Sequence, residues 1–340
     1  MSARFDVALD GMGGDRAPQV PVQAALAAAR DGLSVAIVGE PTILEPLIRE
    51  LGGPSPRLTL IPARDAIEEH EAPTFAVRRK RDASVRVAAK LVGAGDAEAL
   101  VSAGSSGAVM AAGLMEVGRI DGVERPAIAA LLPTAREPVV VLDLGANVDP
   151  SGLQLAQFAL MGAVYAEIAL DRKSPRVALL ANGTEPTKGT AATREALQLL
   201  AKSSLDFVGY CEGRDLFTGD LDVVVTDGFT GNVLLKSVEG FALALFDVLE
   251  REIRKNLLLT AGAVMMKSLF DKLKKKVDYE AAGAAPLLGL RRPCLVAHGA
   301  SSPRALENAI LAAKKGRSER LPEAIRVRVA DHIQVFRSVK

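Results

Sequence analysis

The sequence is poor in the residues on which nucleic-acid recognition depends. Tryptophan is absent from its 340 residues, aromatic residues make up 4%, and the formal net charge at pH 7 is +1. Nucleic-acid binding usually relies on a basic surface and on the stacking of bases against aromatic rings. A nucleic-acid partner is therefore not expected.

Cysteine and histidine are also scarce. Cys211 and Cys294 are the two cysteines, they form no C-x-x-C pair, and only three histidines are present. No H-E-x-x-H motif or cluster of carboxylates accompanies them, so the sequence offers neither a disulfide framework nor a metal site. We expect reduced thiols, no metal and no cofactor.

Long apolar runs are missing as well. Nowhere do 18 apolar residues follow one another, and Asp6 and Asp10 interrupt the first apolar stretch. A membrane-spanning helix or a secretion signal needs such a run, so we expect a cytoplasmic protein. Because 49% of the residues are hydrophobic and no linker divides the chain, residues 1–340 are expected to form one large unit.

What the sequence does contain is a repeated pattern of strand, small-residue loop and helix. Short β-branched runs alternate with Ala- and Leu-rich segments, which is typical of an α/β fold with a mostly parallel sheet. The expected strands include FDVALD, LSVAIVG, AEALVSAG, PVVVLDLG, RVALLANG and LDVVVTDG. Because loops after parallel strands leave from one edge, we expect these loops to converge on a common anion-binding edge.

The loop GMGGDR, residues 11–16, is the first candidate for a ligand site. A dinucleotide fingerprint, G-x-G-x-x-G, needs glycine at the sixth position, where this chain has Arg16. Glu40, after the next strand, could imitate the ribose-binding acid of a nicotinamide enzyme. A tight turn, a phosphate site and a dinucleotide site all remain open, whereas a Walker-type triphosphate site is not expected because its motif is absent.

A denser set of polar residues occurs in TDGFTGN, where Asp227, Thr230 and Asn232 follow a strand. Lys188 stands at the start of another predicted helix, either as a ligand of phosphate or an oxyanion or as a solvated lysine. His298 follows the apolar run CLVAHG and is either functional or structural. No arrangement typical of a covalent nucleophile is found.

Together these motifs resemble the PlsX family of phosphate acyltransferases of bacterial phospholipid synthesis. The resemblance covers nearly the whole chain, in the segments ALDGMGGD, AVRRKRDAS, VSAGSSGAVMAAGLMEVGRI, RPAIA, LDLGANVD, MGAVYA, TKGT, VVVTDGFTGNVLLKSVEG, APLLGL and AHGASS. It implies a three-layer α/β/α sandwich of the isopropylmalate dehydrogenase and phosphotransacetylase type, and a homodimer. It also implies transfer of a long-chain fatty acyl group from acyl carrier protein to inorganic phosphate, which gives an acyl phosphate.

The motifs and the resemblance lead to a hypothesis for the site. Phosphate is itself an oxygen nucleophile, so no covalent enzyme intermediate is required. The expected catalytic residues are Lys188 and Asn232, which polarise the thioester carbonyl, and His298, which protonates the thiolate. The residues expected to bind phosphate or substrate are Asp10, Gly13, Gly14, Arg16, Ser105, Ser106, Asn147, Asp227 and Thr230.

The chain departs from the family pattern at three places. The family usually has His in place of Arg16, Asn-Thr in place of Ser105 and Ser106, and Tyr-Gly-Gly in place of residues 282–284. Arg16 is always charged and offers two parallel donors, so it is expected to bind phosphate at least as well as a neutral imidazole.

Two basic segments are expected to contact partners. Residues 254–276 hold seven Lys or Arg against one Asp and carry an apolar face at helical spacing. A helical protrusion over residues 240–280 is expected at the dimer interface and at a membrane surface, with burial in the core as the alternative. The residues expected at the membrane are Leu257, Leu258, Met265 and Leu269.

The second basic segment is VRRKR, residues 77–81. Arg78, Arg79 and Lys80 form either a solvated helix face or a patch for the acidic acyl carrier protein. As a peripheral membrane enzyme, the protein would pass its product to a membrane glycerol-3-phosphate acyltransferase. The alternatives are a phosphotransacetylase-like enzyme that uses acyl-CoA, a dehydrogenase of related fold, and a lipid- or phosphate-binding protein without catalysis.

Overall fold

A computed structural model describes residues 4–68, 70–268, 270, 283–314 and 317–337. Its centre is an 11-stranded sheet with the order β3-β2-β1-β4-β11-β10-β5-β6-β9-β7-β8. The strands are β1 (Phe5–Asp10), β2 (Val35–Gly39), β3 (Leu58–Pro62), β4 (Ala97–Ser102), β5 (Ala127–Leu132), β6 (Val139–Leu142), β7 (Arg176–Leu180), β8 (Asp206–Cys211), β9 (Val223–Val225), β10 (Ala285–Leu288) and β11 (Cys294–Val296).

Helices cover both faces of this sheet. They are α1 (Gln19–Arg30), α2 (Pro41–Leu51), α3 (Pro73–Arg79), α4 (Ser84–Ala94), α5 (Ser106–Ala112), α6 (Gly152–Ala169), α7 (Ala191–Leu200), α8 (Gly228–Arg254), α9 (Leu257–Met265), α10 (Pro303–Lys314) and α11 (Arg317–Arg337). A π-helical turn, Gly113–Val117, follows α5, and a short 3₁₀ turn covers Asp215–Phe217.

The packing of these helices makes three layers. Alternate residues of each strand point to opposite faces, and in β5 Ile128 and Leu132 face the core beneath α4 and α5, whereas Ala127 and Ala129 face the core beneath α6, α7 and α11. A third core, beneath α1, α2 and α10, covers the other half of that second face. The three-layer α/β/α sandwich expected from the sequence is confirmed.

The direction of the strands differs from the expectation. The pairings β11–β10, β10–β5 and β5–β6 are antiparallel, while the others are parallel. Three reversals leave the group β6, β9, β7 and β8 running opposite to the group β3, β2, β1, β4 and β11. The prediction that all the loops converge on one edge was therefore wrong, because the carboxyl ends of the two groups point to opposite edges.

Helix α8 begins by packing directly on the end of β6. Asp227 caps the helix by accepting a hydrogen bond from the backbone N–H of Thr230, at 2.7 Å. Two glycines in the first turn allow this contact: a Cβ on Gly228 would lie 2.7 Å from the Asn147 carbonyl oxygen, and one on Gly231 would overlap the Asp143 carbonyl oxygen. The two glycines of TDGFTGN thus allow the first turn of α8 to pack closely against the backbone that follows β6.

The later part of α8 leaves this packed surface. Phe241, Leu243 and Val248 are more than half exposed in the single chain. The following helix α9 leads to Met265, which is 88% exposed. Leu269 lies outside the described residues, as do the side chains of Leu257 and Leu258.

We expect Gly231→Ala to lower the free energy of unfolding by about 1–3 kcal/mol, because the added methyl must displace either α8 or the end of β6. Gly240→Ala lies on the same helix with no atom within 4 Å of the added methyl, so it should stabilise the protein by about 1 kcal/mol. Urea unfolding followed by circular dichroism measures both changes. Equal effects at the two positions would contradict the packing described here.

Candidate functional site

The loops after β1, β4 and β11 interlock at one edge of the sheet. Asp10 is 2% exposed and accepts hydrogen bonds from the Ser102 hydroxyl at 2.7 Å and from the Met12 backbone N–H at 3.2 Å. Burial raises the pKa of Asp10. This predicted ligand therefore joins two loops within the protein.

The glycines of the first loop permit this close assembly. A Cβ on Gly13 would lie 2.8 Å from the Gly104 backbone nitrogen, and Gly14 has a φ of +104°, which favours glycine. Gly13 and Gly14, predicted to bind phosphate or substrate, thus let the first loop pack closely against a neighbouring loop. Ser105 and Ser106 continue from that neighbour at the start of α5.

Arg16 holds the loop after β11. Its Nη2 donates to the carbonyl oxygens of Ala300 and Ser301, the latter at 2.9 Å. The Asp15 backbone N–H donates to the Gly299 carbonyl at 2.9 Å. Arg16 thereby fixes the segment that follows His298, a contact not anticipated from the sequence.

The loops after β6 and β9 form a second cluster. Asp143 is fully buried and accepts from the backbone N–H groups of Ile128 at 2.9 Å and Asn147 at 2.6 Å. The Asn147 amide nitrogen donates to Asp143 Oδ2 and to the Pro126 carbonyl. Burial raises the pKa of Asp143. The Asn147 nitrogen is thus used within the protein.

Asp227 and Thr230 are likewise paired with each other. The Thr230 hydroxyl donates to Asp227 Oδ2 at 2.8 Å, alongside the helix cap at Oδ1. Lys188 lies on the exposed loop after β7, in the same group of strands. Its alkyl chain folds over Gly183, where an added Cβ would lie 2.9 Å from Lys188 Cγ.

One cavity of about 690 Å³ brings residues of both clusters together, and this volume is in the ordinary range for small-molecule sites. Four predicted site residues line it, namely Ser105, Ser106, Asn232 and His298. The other predicted phosphate residues and Lys188 lie outside its wall. Asp15, Lys236 and Glu239 also line it and were missed by the sequence reasoning.

Helix α8 carries the missed residues to the cavity. Asn232, Lys236 and Glu239 are spaced by four and three residues, so they share one face of the helix. A helix rises 1.5 Å per residue, so Lys236 lies about 6 Å further along the axis than Asn232. Extending the helical period from Asn232 is the sequence signal that identifies Lys236.

Lys236 and His298 meet at the polar end of the cavity. The Lys236 Nζ lies 2.9 Å from His298 Nε2 and 4.0 Å from Glu239 Oε2. The Ala300 backbone N–H donates to His298 Nδ1 at 3.1 Å, so a nitrogen of a neighbouring residue lies within hydrogen-bond distance of each ring nitrogen. The imidazole and the ammonium group lie together at this end of the cavity, and the positive charge of Lys236 favours an anionic ligand.

Cys294 is the thiol nearest this space, and it lines the cavity. Burial raises its pKa to about 12. A thiolate is the reactive form of cysteine, so Cys294 is a poor nucleophile at neutral pH.

The basic cluster lies at the end of α3, a helix that packs against α5. Arg78 and Arg79 are exposed at the end of α3, whose first residue, Pro73, would lie 2.9 Å from a Cβ on Gly107. Lys80 differs from its neighbours, because it donates to the Ala66 carbonyl at 2.8 Å and pairs with Glu71 at 2.6 Å. The ammonium group of Lys80 is thus used in contacts within the protein.

Within the described part of the chain, no three His, Cys, Asp or Glu side chains cluster closely enough to hold a metal ion. No helix among the described residues is both long and apolar enough to cross a membrane.

The α/β/α sandwich is similar to the fold of solved phosphotransacetylases. A phosphotransacetylase from Streptococcus pyogenes superposes with a TM-score of 0.58 at 17% identity, covering 92% of this chain and 94% of that one. At this identity the likeness concerns the fold alone.

Sequence comparison then identifies the family. The model of the fatty acid synthesis protein family matches residues 5–322. Proteins named phosphate acyltransferase match from Myxococcus xanthus, with 50% identity over 90% of this chain and 88% of the relative, and from Geobacter sulfurreducens, with 44% over 98% of both. The chain belongs to this family and is an acyltransferase enzyme, a phosphate acyltransferase, which confirms the resemblance in the motifs.

Proposed function

We propose that the enzyme transfers a long-chain fatty acyl group from acyl carrier protein to inorganic phosphate. The observation that supports this proposal best is the cavity of about 690 Å³, whose polar end holds an imidazole and an ammonium group and whose remaining wall is largely apolar. Such a cavity suits a substrate with a reactive polar group and a long apolar tail.

In this proposal phosphate lies at the polar end, near Ser105 and Ser106. The backbone around Gly13 and Gly14 borders this region through the packing against Gly104. Arg16 contributes charge and holds the His298 loop. Asp10, Asn147, Asp227 and Thr230 support the same site by fixing the loops that surround it.

The reaction proceeds by direct attack of phosphate on the thioester. A phosphate oxygen forms a bond to the carbonyl carbon, Asn232 on the cavity wall and Lys188, brought in from the exposed loop after β7, stabilise the resulting oxyanion, and the carbon–sulfur bond then breaks. His298 gives a proton to the departing thiolate, which leaves as the carrier-protein thiol, and the attacking hydrogenphosphate returns a proton to the histidine as the acyl phosphate forms. Lys236 adds a second positive donor beside His298.

No covalent acyl-enzyme is required in this sequence of steps. Phosphate supplies the nucleophilic oxygen, and the raised pKa of Cys294 keeps its thiol protonated. The enzyme contributes orientation and charge stabilisation.

We expect Asn232→Ala and Lys188→Ala each to lower kcat by about a hundredfold or more, the usual cost of removing an oxyanion donor. The measurement is thiol release from palmitoyl-acyl carrier protein, with and without phosphate. Lys202→Ala is the matched control, because Lys202 is also an exposed lysine and lies just after the end of α7. Near-normal turnover of both variants at saturating phosphate would contradict the assigned roles.

The same assay separates the alternative functions. Thiol release independent of phosphate would indicate hydrolysis, and turnover of acetyl-CoA in preference to the carrier-bound thioester would indicate a different acyl donor.

We propose that Arg78 and Arg79 dock the acidic carrier protein. They are exposed on α3, and this helix packs against α5, whose first residue, Ser106, lines the cavity, so in this proposal a carrier bound at α3 presents its acyl group to the cavity. Lys80 contributes by holding α3 through its bonds to residues 66 and 71.

The double substitution of Arg78 and Arg79 by Glu is expected to raise KM for acyl carrier protein about tenfold or more at low salt and to leave KM for phosphate nearly unchanged. Steady-state kinetics with each substrate varied in turn gives the two constants. Arg49→Glu, on exposed α2, is the control for added negative charge. Parallel changes in both constants would count against a docking patch.

We propose that residues 240–280 form a protrusion at which two copies of the chain pair and a membrane surface is contacted. The exposed apolar side chains of α8 and Met265 support this proposal, since large exposed apolar patches mark contact sites. Leu257, Leu258 and Leu269 are assigned to the membrane contact from the sequence alone. From this position at the membrane surface, the enzyme delivers its acyl phosphate to a membrane glycerol-3-phosphate acyltransferase.

Met265→Glu is expected to reduce flotation of the protein with anionic vesicles, because it places a charge where an apolar side chain meets the lipid. Flotation of the native protein should also decrease with added salt. Binding indifferent to anionic lipid, salt and this substitution would contradict the membrane contact. A monomeric mass in sedimentation would contradict the dimer.

A further inference from the structure

The cavity extends into a gap in the central sheet. Strand β10 pairs with β11 through Ala285 and Pro286 and then with β5 through Leu287 and Leu288. Beyond that point residues 129–132 of β5 pair with β6 on one side and with no described strand on the other. The two half-sheets diverge here.

The wall of the cavity follows this gap. It includes every residue of β5 from 128 to 132 and the run 293–299 through β11. Successive residues of a strand point to opposite faces, so an unbroken run on the wall means that the cavity borders the edge of the strand. The cavity therefore passes through the sheet from one face to the other.

The two ends of this passage differ in chemistry. Ser105, Lys236 and His298 lie at one end. At the other, on the face covered by α6 and α11, the wall is formed by Tyr165, Ile168, Ala169, Leu321, Pro322 and Ile325. Burial raises the pKa of Tyr165, so its phenol stays uncharged and this end carries no ionised group.

We propose that the gap in the sheet binds the acyl chain, and that the wall formed by α6 and α11 sets the longest chain that the enzyme accepts. This inference rests on the proposed function. The thioester lies between His298 and Asn232, and the chain runs between β5 and the pair β10 and β11. Its terminal methyl group meets Tyr165 and Ile325.

Ala169→Leu tests the assignment by narrowing the end of the cavity that is lined by α6 and α11. We expect kcat/KM for palmitoyl-acyl carrier protein to fall about tenfold or more, since each methylene excluded from an apolar site costs about fourfold in binding. The value for the butyryl thioester should change less than about twofold, because that chain ends before the wall. Ala191→Leu, an equal change at the exposed start of α7, should leave both values unaltered.

Ile168→Ala tests the opposite change by enlarging the same end, and it should shift the preference toward chains longer than palmitoyl. A palmitoyl carrier thioester with a diazirine at the chain terminus provides a readout that does not depend on turnover. Photolysis with the native enzyme should label residues 165–169 or 321–325, identified by peptide mass spectrometry.

Two results would overturn the assignment. One is labelling elsewhere in the chain; the other is an unchanged ratio of palmitoyl to butyryl activity in both variants. Failure of the proposed function has a different signature, namely that the native enzyme forms no acyl phosphate from a carrier thioester of any length. Labelling of residues 165–169 or 321–325 by the diazirine probe requires only binding of the thioester, so it does not depend on formation of acyl phosphate.

Discussion

The contact between the first turn of α8 and the end of β6 is the constraint on which the site depends. Gly231 lies directly against the Asp143 carbonyl, and Asp143 in turn holds Asn147 and Ile128. Any side chain at Gly231 would lift the helix from the sheet. Because the helix is rigid, this one contact fixes both the height and the rotation of Lys236, about two and a half turns from the Asp227 cap. Lys236 lies beside His298, which belongs to the opposite group of strands.

The reversal of strand direction gives the site its shape. In a uniformly parallel sheet the polar loops would share one edge, and the sheet would be closed between them. Here β10 and β5 run against their neighbours, and β10 changes partners halfway along its length. The two groups of loops consequently meet through α8 and through an opening between strands. A site that joins an anion-binding end to a deep apolar space requires such an opening.

The sequence predicts the α/β class and the individual parallel strands well, because β-branched runs followed by glycine and helix form by local rules. It also predicts Ser105, Asn232 and His298, which line one cavity. The antiparallel strands were not predicted, since APLL and AIAALL carry no local signal of their direction. Asp10, Asn147 and Arg16 form hydrogen bonds within the protein, and their partners lie 92, 21 and 285 residues away in the sequence. Such pairings are set by tertiary structure and are not visible in local patterns.

The pairing of β10 has a mechanical consequence. Within the sheet, Leu287 and Leu288 provide the strand pairing between one half and the other, whereas each half is internally joined by several longer ladders. The halves are also joined by the core beneath α4 and α5, which contains side chains of both. A molecule that fills the opening adds contacts to both halves at once, and by mass action it raises the melting temperature of the whole chain as its concentration exceeds its dissociation constant. A substrate bound in the opening would thus stabilise the folded protein in the same way as buried side chains do.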